Sequence, residues 1–336
     1  MRSLIAGGVA LCTMWTAYAV DPLSKYVKVF LADDSAETKT NAICNADALA
    51  FLEKNVPYFE CPDKEIERAY YFRWWTYRRH IKRTPSGYVV TEFLPDVRWA
   101  GKFNTINCAA GHHIMEGRWL RTPVYLDDYA RFWFHEGTMS GPRAYVCWPA
   151  WALLERTYVT GDWTLVTELL GAFVRNYEAW EKGWQRRPWP YKDPDEKFDM
   201  GLKSNGLFAT TDDREGSENS LGGDGYRPLV NSAMCGEARA IMTIAQHVGD
   251  TALATRFRAK ARTLEENIRR RLWNPEREFF TVVSSEGMHK SVRELFGCAT
   301  TGNVSGAART TTIRRFAIWS SRDSAACGRK KTGAST

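Results

Sequence analysis

Between Thr251 and Trp273 apolar residues recur every three or four positions, at Leu253, Phe257, Leu264, Ile268 and Leu272. That spacing predicts an amphipathic helix. Asp250 stands where an N-cap is needed, just after Gly249, which suits the end of a preceding helix. Asn274-Pro275 stops the helix, and the run Phe279 to Val283 predicts a short strand. Upstream, Ile241, Met242, Ala245 and Val248 place a helix over Ala238 to Val248. The same punctuation occurs earlier: Trp151 to Tyr158 is helical, Gly161-Asp162 makes the turn, and Trp163 to Trp180 is the next helix. A repeated helix, Gly-Asp, helix unit predicts stacked antiparallel helix pairs. Strand signals are few, chiefly Tyr88 to Phe93 and the Phe279 run. Without βαβ alternation or a Gly-rich phosphate loop, a dinucleotide-binding fold is not expected.

Composition adds three points. The chain has 336 residues, enough for one large domain or two small ones. Apolar residues make up 44% and charged residues 25%, which excludes wholesale disorder. Aromatic residues reach 13%, with 14 Trp and 14 Tyr, a density that suits sugar rings as well as core packing.

The two ends differ from the middle. Arg2, the apolar run Leu4 to Thr16 and Ala17-Tyr18-Ala19 read as a signal peptide over residues 1–19, so a secreted chain starting near Val20 is expected. No later stretch is apolar enough for a membrane span. From Cys298 the chain turns to Ala, Thr, Ser and Gly with seven basic residues against one acid, Asp323; this stretch carries +6 of the net +7. The basic excess sits in one tail rather than on the domain, so nucleic acid is not an expected partner. The tail strands Ile313, Phe316, Ile318 and Trp319 among polar residues. Residues 298–336 therefore read either as a basic disordered tail or, the favoured reading given those stranded apolar residues, as the product of a frame or splice error that replaced a folded end. The domain is expected over 20–297.

Eight cysteines show no zinc-like pairing. Cys44 and Cys61 are close enough in sequence to pair, whereas Cys108, Cys147 and Cys235 lie among apolar residues and read as buried thiols. The sequon Asn303-Val304-Ser305 lies in the tail.

Four clusters carry candidate chemistry. The stretch Thr211 to Pro228 is acidic and Gly-rich, and it ends in Asp224, Tyr226 and Arg227. Such a loop lets a ligand approach backbone closely; it also has the composition of an ordinary solvated loop. The second cluster is His112 and His113 with Glu116, Arg118 and Trp119. His112 and Glu116 could share a helix face, but no third ligand accompanies them, so neither metal nor cofactor is expected. The third runs from Tyr71 to His80 and includes Arg73 and Trp74; it reads equally as core. The fourth is Trp148-Pro149-Ala150-Trp151, with Pro149 suited to a first helical turn. If the helices pair into a toroid, the loops before its inner helices share one end and bring these clusters to one carbohydrate pocket.

The segment Ser220-Leu221-Gly222-Gly223-Asp224-Gly225-Tyr226-Arg227 resembles the Ser-Gly-x-Asp-x-Ser/Tyr-x-Arg-like motif of six-hairpin glycosidases. Leu221 separates Ser from Gly here, and Arg227 comes one place early. The junction Leu272-Trp273-Asn274-Pro275 with Phe279-Phe280 is similar to the same superfamily. From Tyr70 to about Gly297 the chain resembles its mannosylglycerate-hydrolase-like domain, related to glycoside hydrolase families 63 and 37.

The resemblance implies a mainly α fold, an (α/α)6 toroid with a few short rim strands, acting on an oligosaccharide or glycoside. It implies Asp224 as general acid. Arg73, Trp74, His112, His113, Trp148, Tyr226 and Arg227 are the candidate sugar contacts. It also implies inversion, which needs a second carboxylate roughly 6.5–9.5 Å from the first to activate water. In the family that base lies far downstream. Glu294 comes too early and Glu286 lacks a surrounding motif, so no base is found. Twelve helices would complete six hairpins, and the sequence yields about eight. An incomplete toroid that hydrolyses glycosides poorly is therefore expected. The alternatives are a carbohydrate-binding pseudoenzyme and a toroid polysaccharide lyase drafting Tyr226, Arg227 and His112.

Overall fold

The computed structural model describes residues 22–136, 141–186, 198–217, 220–295 and 297. The expected signal peptide, the tail from Cys298 and the Asn303 sequon lie outside the described residues. The chain divides into two compact units, Met1–Arg79 and His80–Thr336.

In the first unit, α1 (Pro22–Asp33), α2 (Ala48–Asn55) and α3 (Lys64–His80, its last residue opening the second unit) surround an aromatic core. Tyr26 stacks on Tyr71 at 5.7 Å, and Phe30 packs against Trp75 at 5.8 Å. The Arg78 guanidinium is fully buried 4.0 Å over the Trp75 ring. It donates to the Ile43 carbonyl at 2.8 Å and to Asn45 Oδ1. Trp74 is 4% exposed, wedged between Tyr70 and Tyr77. The core reading of this cluster therefore holds for Trp74: its ring is not offered to a sugar, because helical spacing turns it inward with Tyr71 and Trp75. Arg73, one residue earlier, faces solvent. Cys44 and Cys61 are free thiols rather than a bridge, and Cys44 Sγ donates to Asp47 Oδ2 at 3.1 Å.

The second unit opens with an antiparallel hairpin, β1 (Ile81–Thr84) and β2 (Gly87–Val90), shorter than the predicted strand to Phe93. Among the described residues six α-helices follow: α4 (Ala110–Gly117), α5 (Val124–Arg131), α6 (Pro149–Thr160), α7 (Thr164–Lys182), α8 (Pro228–His247) and α9 (Thr251–Arg271). Alternate helices lie side by side, α4 on α6 and α6 on α8, while α7 and α9 cover α8 from outside. This two-layer alternation is that of an (α/α) toroid domain, and no barrel is present among the described residues. The composition of each layer explains it. Helix α8 is rich in small and apolar residues and is buried on every side from Pro228 to Ala238. Helix α9 carries one apolar stripe, Phe257, Leu264 and Ile268, under an arginine-rich outer face.

The turns behave as their residues demand. Gly161 ends α6 in the left-handed conformation at φ 74°. Asp162 Oδ1 then accepts the Thr164 N–H at 2.9 Å, and Asp250 Oδ1 accepts the Leu253 N–H at 2.9 Å. Short strands fill the connections. β3 (Gln185–Arg186) pairs with β4 (Phe198–Asp199). A three-stranded sheet runs in the order β5 (Gly201–Leu202), β6 (Phe208–Thr210), β7 (Gly225–Tyr226). β8 (Trp273–Asn274) pairs with β9 (Phe279–Phe280). The predicted Phe279 strand is thus cut to two residues, and Val283 continues only as bridges to Tyr226 and His289. Cys147 and Cys235 are buried as expected; Cys108 is half-buried.

Candidate active site

Three loops, those before α4, α6 and α8, are tied together at one end of the second unit. The buried Asn107 side chain, before α4, donates to the carbonyls of Pro142 and Tyr145 at 3.0 and 2.7 Å. Its carbonyl oxygen accepts the Tyr145 N–H at 3.0 Å. Arg214, before α8, donates to the Ala144 carbonyl at 2.7 Å, and its own carbonyl accepts the Val146 N–H at 2.7 Å. The Arg214 guanidinium also lies 4.5 Å from the centre of the Tyr145 ring.

An aromatic face forms where α4 meets α6. Trp148 stands edge-on to His112 at 4.7 Å and 6.4 Å from Trp151. Gly111 makes this approach feasible: a Cβ there would sit 2.7 Å from the Trp148 indole. Burial lowers the His112 imidazole pKa, opposed by the Glu116 carboxylate, so the ring favours its neutral form. His113 is tied into packing instead, its Nδ1 3.1 Å from the Tyr129 hydroxyl of α5. Behind the face lies Glu237 of α8, 2% exposed, whose Oε1 accepts the Trp151 N–H at 2.9 Å. Burial raises its pKa to about 8, against the opposing pull of backbone N–H bonds from Trp151 and Ala150.

The loop before α8 is held from within. Asp224 is half-buried, and its Oδ1 accepts the Asp212 N–H at 2.9 Å. Asp212, itself buried, accepts the Ser220 N–H at 3.0 Å. Arg227 is fully buried and spends its donors on Glu215 Oε2 at 2.6 Å, Ser220 Oγ at 3.0 Å, Ser217 Oγ at 3.3 Å, the Gly223 carbonyl, and Glu294 Oε2 at 3.1 Å. The expectation that Arg227 touches sugar is corrected here: the guanidinium has no face toward solvent and organises the loop. Tyr226, on β7, lines an open cleft of about 510 Å³ with Asn205, Arg270, Arg271, Glu286 and His289. Hydroxyl donation from Ser285 and Ser284 holds the exposed Glu286 carboxyl down to about 2.

The sequence candidates therefore fall into five places. Trp148 and His112 are in contact. Asp224 and Arg227 share one loop network. Tyr226 faces the cleft. His113 belongs to the packing, and Arg73 and Trp74 belong to the first unit. Sequence reasoning missed Asn107 and Glu237, whose partners lie on other elements; Glu237 alone offered a signal, as the single carboxylate of α8. Among the described residues no group of three His, Cys, Asp or Glu could hold a metal ion, and no helix is long and apolar enough to cross a membrane.

Residues 102–301 match the family model of the mannosylglycerate hydrolase MGH1-like glycoside hydrolase domain. Among solved structures the chain is similar to a sialidase, with 34% identity and a TM-score of 0.75 over 83% of this chain. The match covers 25% of that protein, so this chain spans about a quarter of its length. No curated protein sequence matches the chain.

Proposed function

This chain belongs to the mannosylglycerate hydrolase MGH1-like glycoside hydrolase domain family, and on that premise we propose that it is a secreted protein whose second unit cleaves a glycosidic bond by general acid catalysis from Asp224. The family match over residues 102–301 carries the reading, because it spans all three tied loops and every candidate in the second unit. Glycoside hydrolysis needs a protonated carboxyl at the leaving oxygen and a second carboxylate to activate water. Asp224 supplies the first: its proton passes to the glycosidic oxygen as the bond to the anomeric carbon breaks. Water then adds to that carbon from the opposite face, with inversion, and gives up its proton to bulk water, since no residue of this chain is assigned to take it. Trp148 and Tyr226 offer ring faces suited to a sugar. Secretion rests on residues 1–19.

No residue of this chain is assigned the base, so slow hydrolysis is the expected behaviour of these 336 residues. The sialidase name belongs to a protein of which this chain covers a quarter. Sialosides are therefore one substrate class to test beside mannosides and glucosides.

The test is a panel of aryl glycosides with anomer-resolved NMR of the product, for the wild type and Asp224→Asn. Expected is slow release of the inverted anomer, reduced about 10²- to 10⁴-fold by the substitution. Turnover untouched by Asp224→Asn would reject the acid assignment. Saccharide binding with no turnover in the wild type would favour a binding protein. An unsaturated product absorbing in the ultraviolet would mean a lyase.

A further inference from the structure

Seventy-two residues separate Gly222 from Glu294, yet Glu294 Oε1 accepts the Gly222 N–H at 2.8 Å. The other oxygen, Oε2, accepts from Arg227 Nη2 at 3.1 Å. One carboxylate thus bridges the loop tip to the guanidinium that organises the loop. The contact is close by design of the sequence: a Cβ at position 222 would lie 2.9 Å from Glu294 Oε1 and 2.7 Å from Val282 Cγ2.

Bonds from Asp212, Ser220 and Asp224 hold the loop from within, and Glu294 reaches its tip from a segment far downstream. Among its described residues only the short turn Asp213–Glu215 is regular before β7 begins at Gly225. Arg227 is the hub, and it faces two carboxylates. Glu215 is fully enclosed and also accepts the Val230 N–H at 2.7 Å, which locks it to the first turn of α8. Glu294 is the outer partner, its side chain 16% exposed. Removing it takes the acceptor from the Gly222 N–H, two residues from Asp224, and leaves Arg227 Nη2 with only Ser217 Oγ at 3.3 Å.

We propose that Glu294 is a positioning residue: its carboxylate clamps the Gly222 N–H to the Arg227 guanidinium and so fixes the loop that carries Asp224. The clamp stands on geometry alone, whereas its consequence for catalysis rests on Asp224 acting as the general acid.

The experiment uses the full chain as wild type, Glu294→Gln, Glu294→Ala and Asp224→Asn. Hydrogen exchange is followed at the Gly222 amide, with α8 and α9 amides as the folding control. Glu294→Ala is expected to speed exchange at Gly222 about tenfold, the equivalent of one lost charge-assisted hydrogen bond, and to leave α8 and α9 unchanged. Glu294→Gln keeps an acceptor for Gly222 and is expected to retain most of the protection. If Glu294→Ala unfolds the chain, Glu294→Gln decides alone, through a smaller local rise confined to Ser220–Arg227. Unchanged exchange at Gly222 in the folded variants overturns the clamp. On the catalytic side, Glu294→Ala should lower kcat about tenfold with KM held. Where the wild type binds saccharide without turnover, affinity replaces kcat as the readout. Faster loop exchange with neither kcat nor affinity altered overturns the positioning role. Loss of activity in Glu294→Ala but not in Asp224→Asn keeps the clamp and rejects Asp224 as the acid.

Discussion

The Trp151 N–H donates to the Glu237 carboxyl across 2.9 Å, joining the first turn of α6 to the middle of α8. The bond caps α6 from a neighbouring helix rather than from its own loop, since Trp148 at the N-cap supplies no side-chain acceptor. Glu237 is enclosed, and among the described residues no Lys or Arg pairs with it.

Stability should therefore depend on pH through this one carboxyl. Burial raises its pKa from 4.5 to about 8, so the folded state holds a proton that the unfolded chain releases above 4.5. The stabilisation is complete below about 4.5 and disappears as pH rises through 8, a total on the order of 4 kcal/mol. Thermal unfolding of the wild type should fall in Tm between pH 6 and 9. Glu237→Gln, which cannot ionise, should be flat over that range. Parallel curves for the two proteins would show that Glu237 does not titrate there.

Arg227 should be among the costliest residues to replace. Arg227→Met leaves Glu215 buried without its counter-charge, and the loss should be about 3–5 kcal/mol in urea unfolding. Arg227→Lys keeps the charge but cannot serve five acceptors with one ammonium group, so it should recover only part of the loss. Adding Glu215→Gln to Arg227→Met should return stability, because the stranded charge goes with it. A Met variant within about 1 kcal/mol of wild type would contradict the buried pair.

Local rules made α6, α7 and α9 legible, and burial hid the first half of α8. Helix α9 was readable because its apolar stripe, its Asp250 cap and its Asn274-Pro275 stop are all written within a few residues. Helix α8 starts at Pro228, ten residues before the expected Ala238. Its first half, Leu229 to Glu237, is buried on all sides and so has no polar face to set a period. The same effect misled the site reading. Arg227 looks like a ligand contact in sequence because an arginine beside a carboxylate suggests recognition. Its real partners include Glu294, which no local pattern links to it. Trp74 and Cys61 were left open for a related reason: spacing places them near useful neighbours but cannot say which way the side chains turn.

The Asp250 cap gives a smaller and cleaner expectation. Its carboxylate accepts the Leu253 N–H at 2.9 Å on an exposed helix end. Asp250→Ala should lower stability by about 1 kcal/mol, and Asp250→Asn or Asp250→Ser should restore most of it. An unchanged urea midpoint for the Ala variant would mean that water serves the helix end equally well.

Gly111 is where helix propensity and site geometry oppose each other. It lies inside α4, where Ala would normally gain about 1 kcal/mol over Gly. Here the added methyl would meet Trp148 Cε2 and Nε1 at 2.7 Å, so the indole must move or the helices must part. Overpacking of this kind costs about 1–3 kcal/mol, so the two effects should leave Gly111→Ala no more stable than wild type. The distinctive sign is local. Displacing the indole breaks its edge contact with His112, which should change Trp148 emission and weaken saccharide binding. Because the chain has 14 Trp, the spectrum has to be compared in a Trp148→Phe background, where the change should vanish. A Gly111→Ala protein that gains the full propensity increment, with Trp148 emission and binding as in wild type, would show that α4 and Trp148 are not in the contact described.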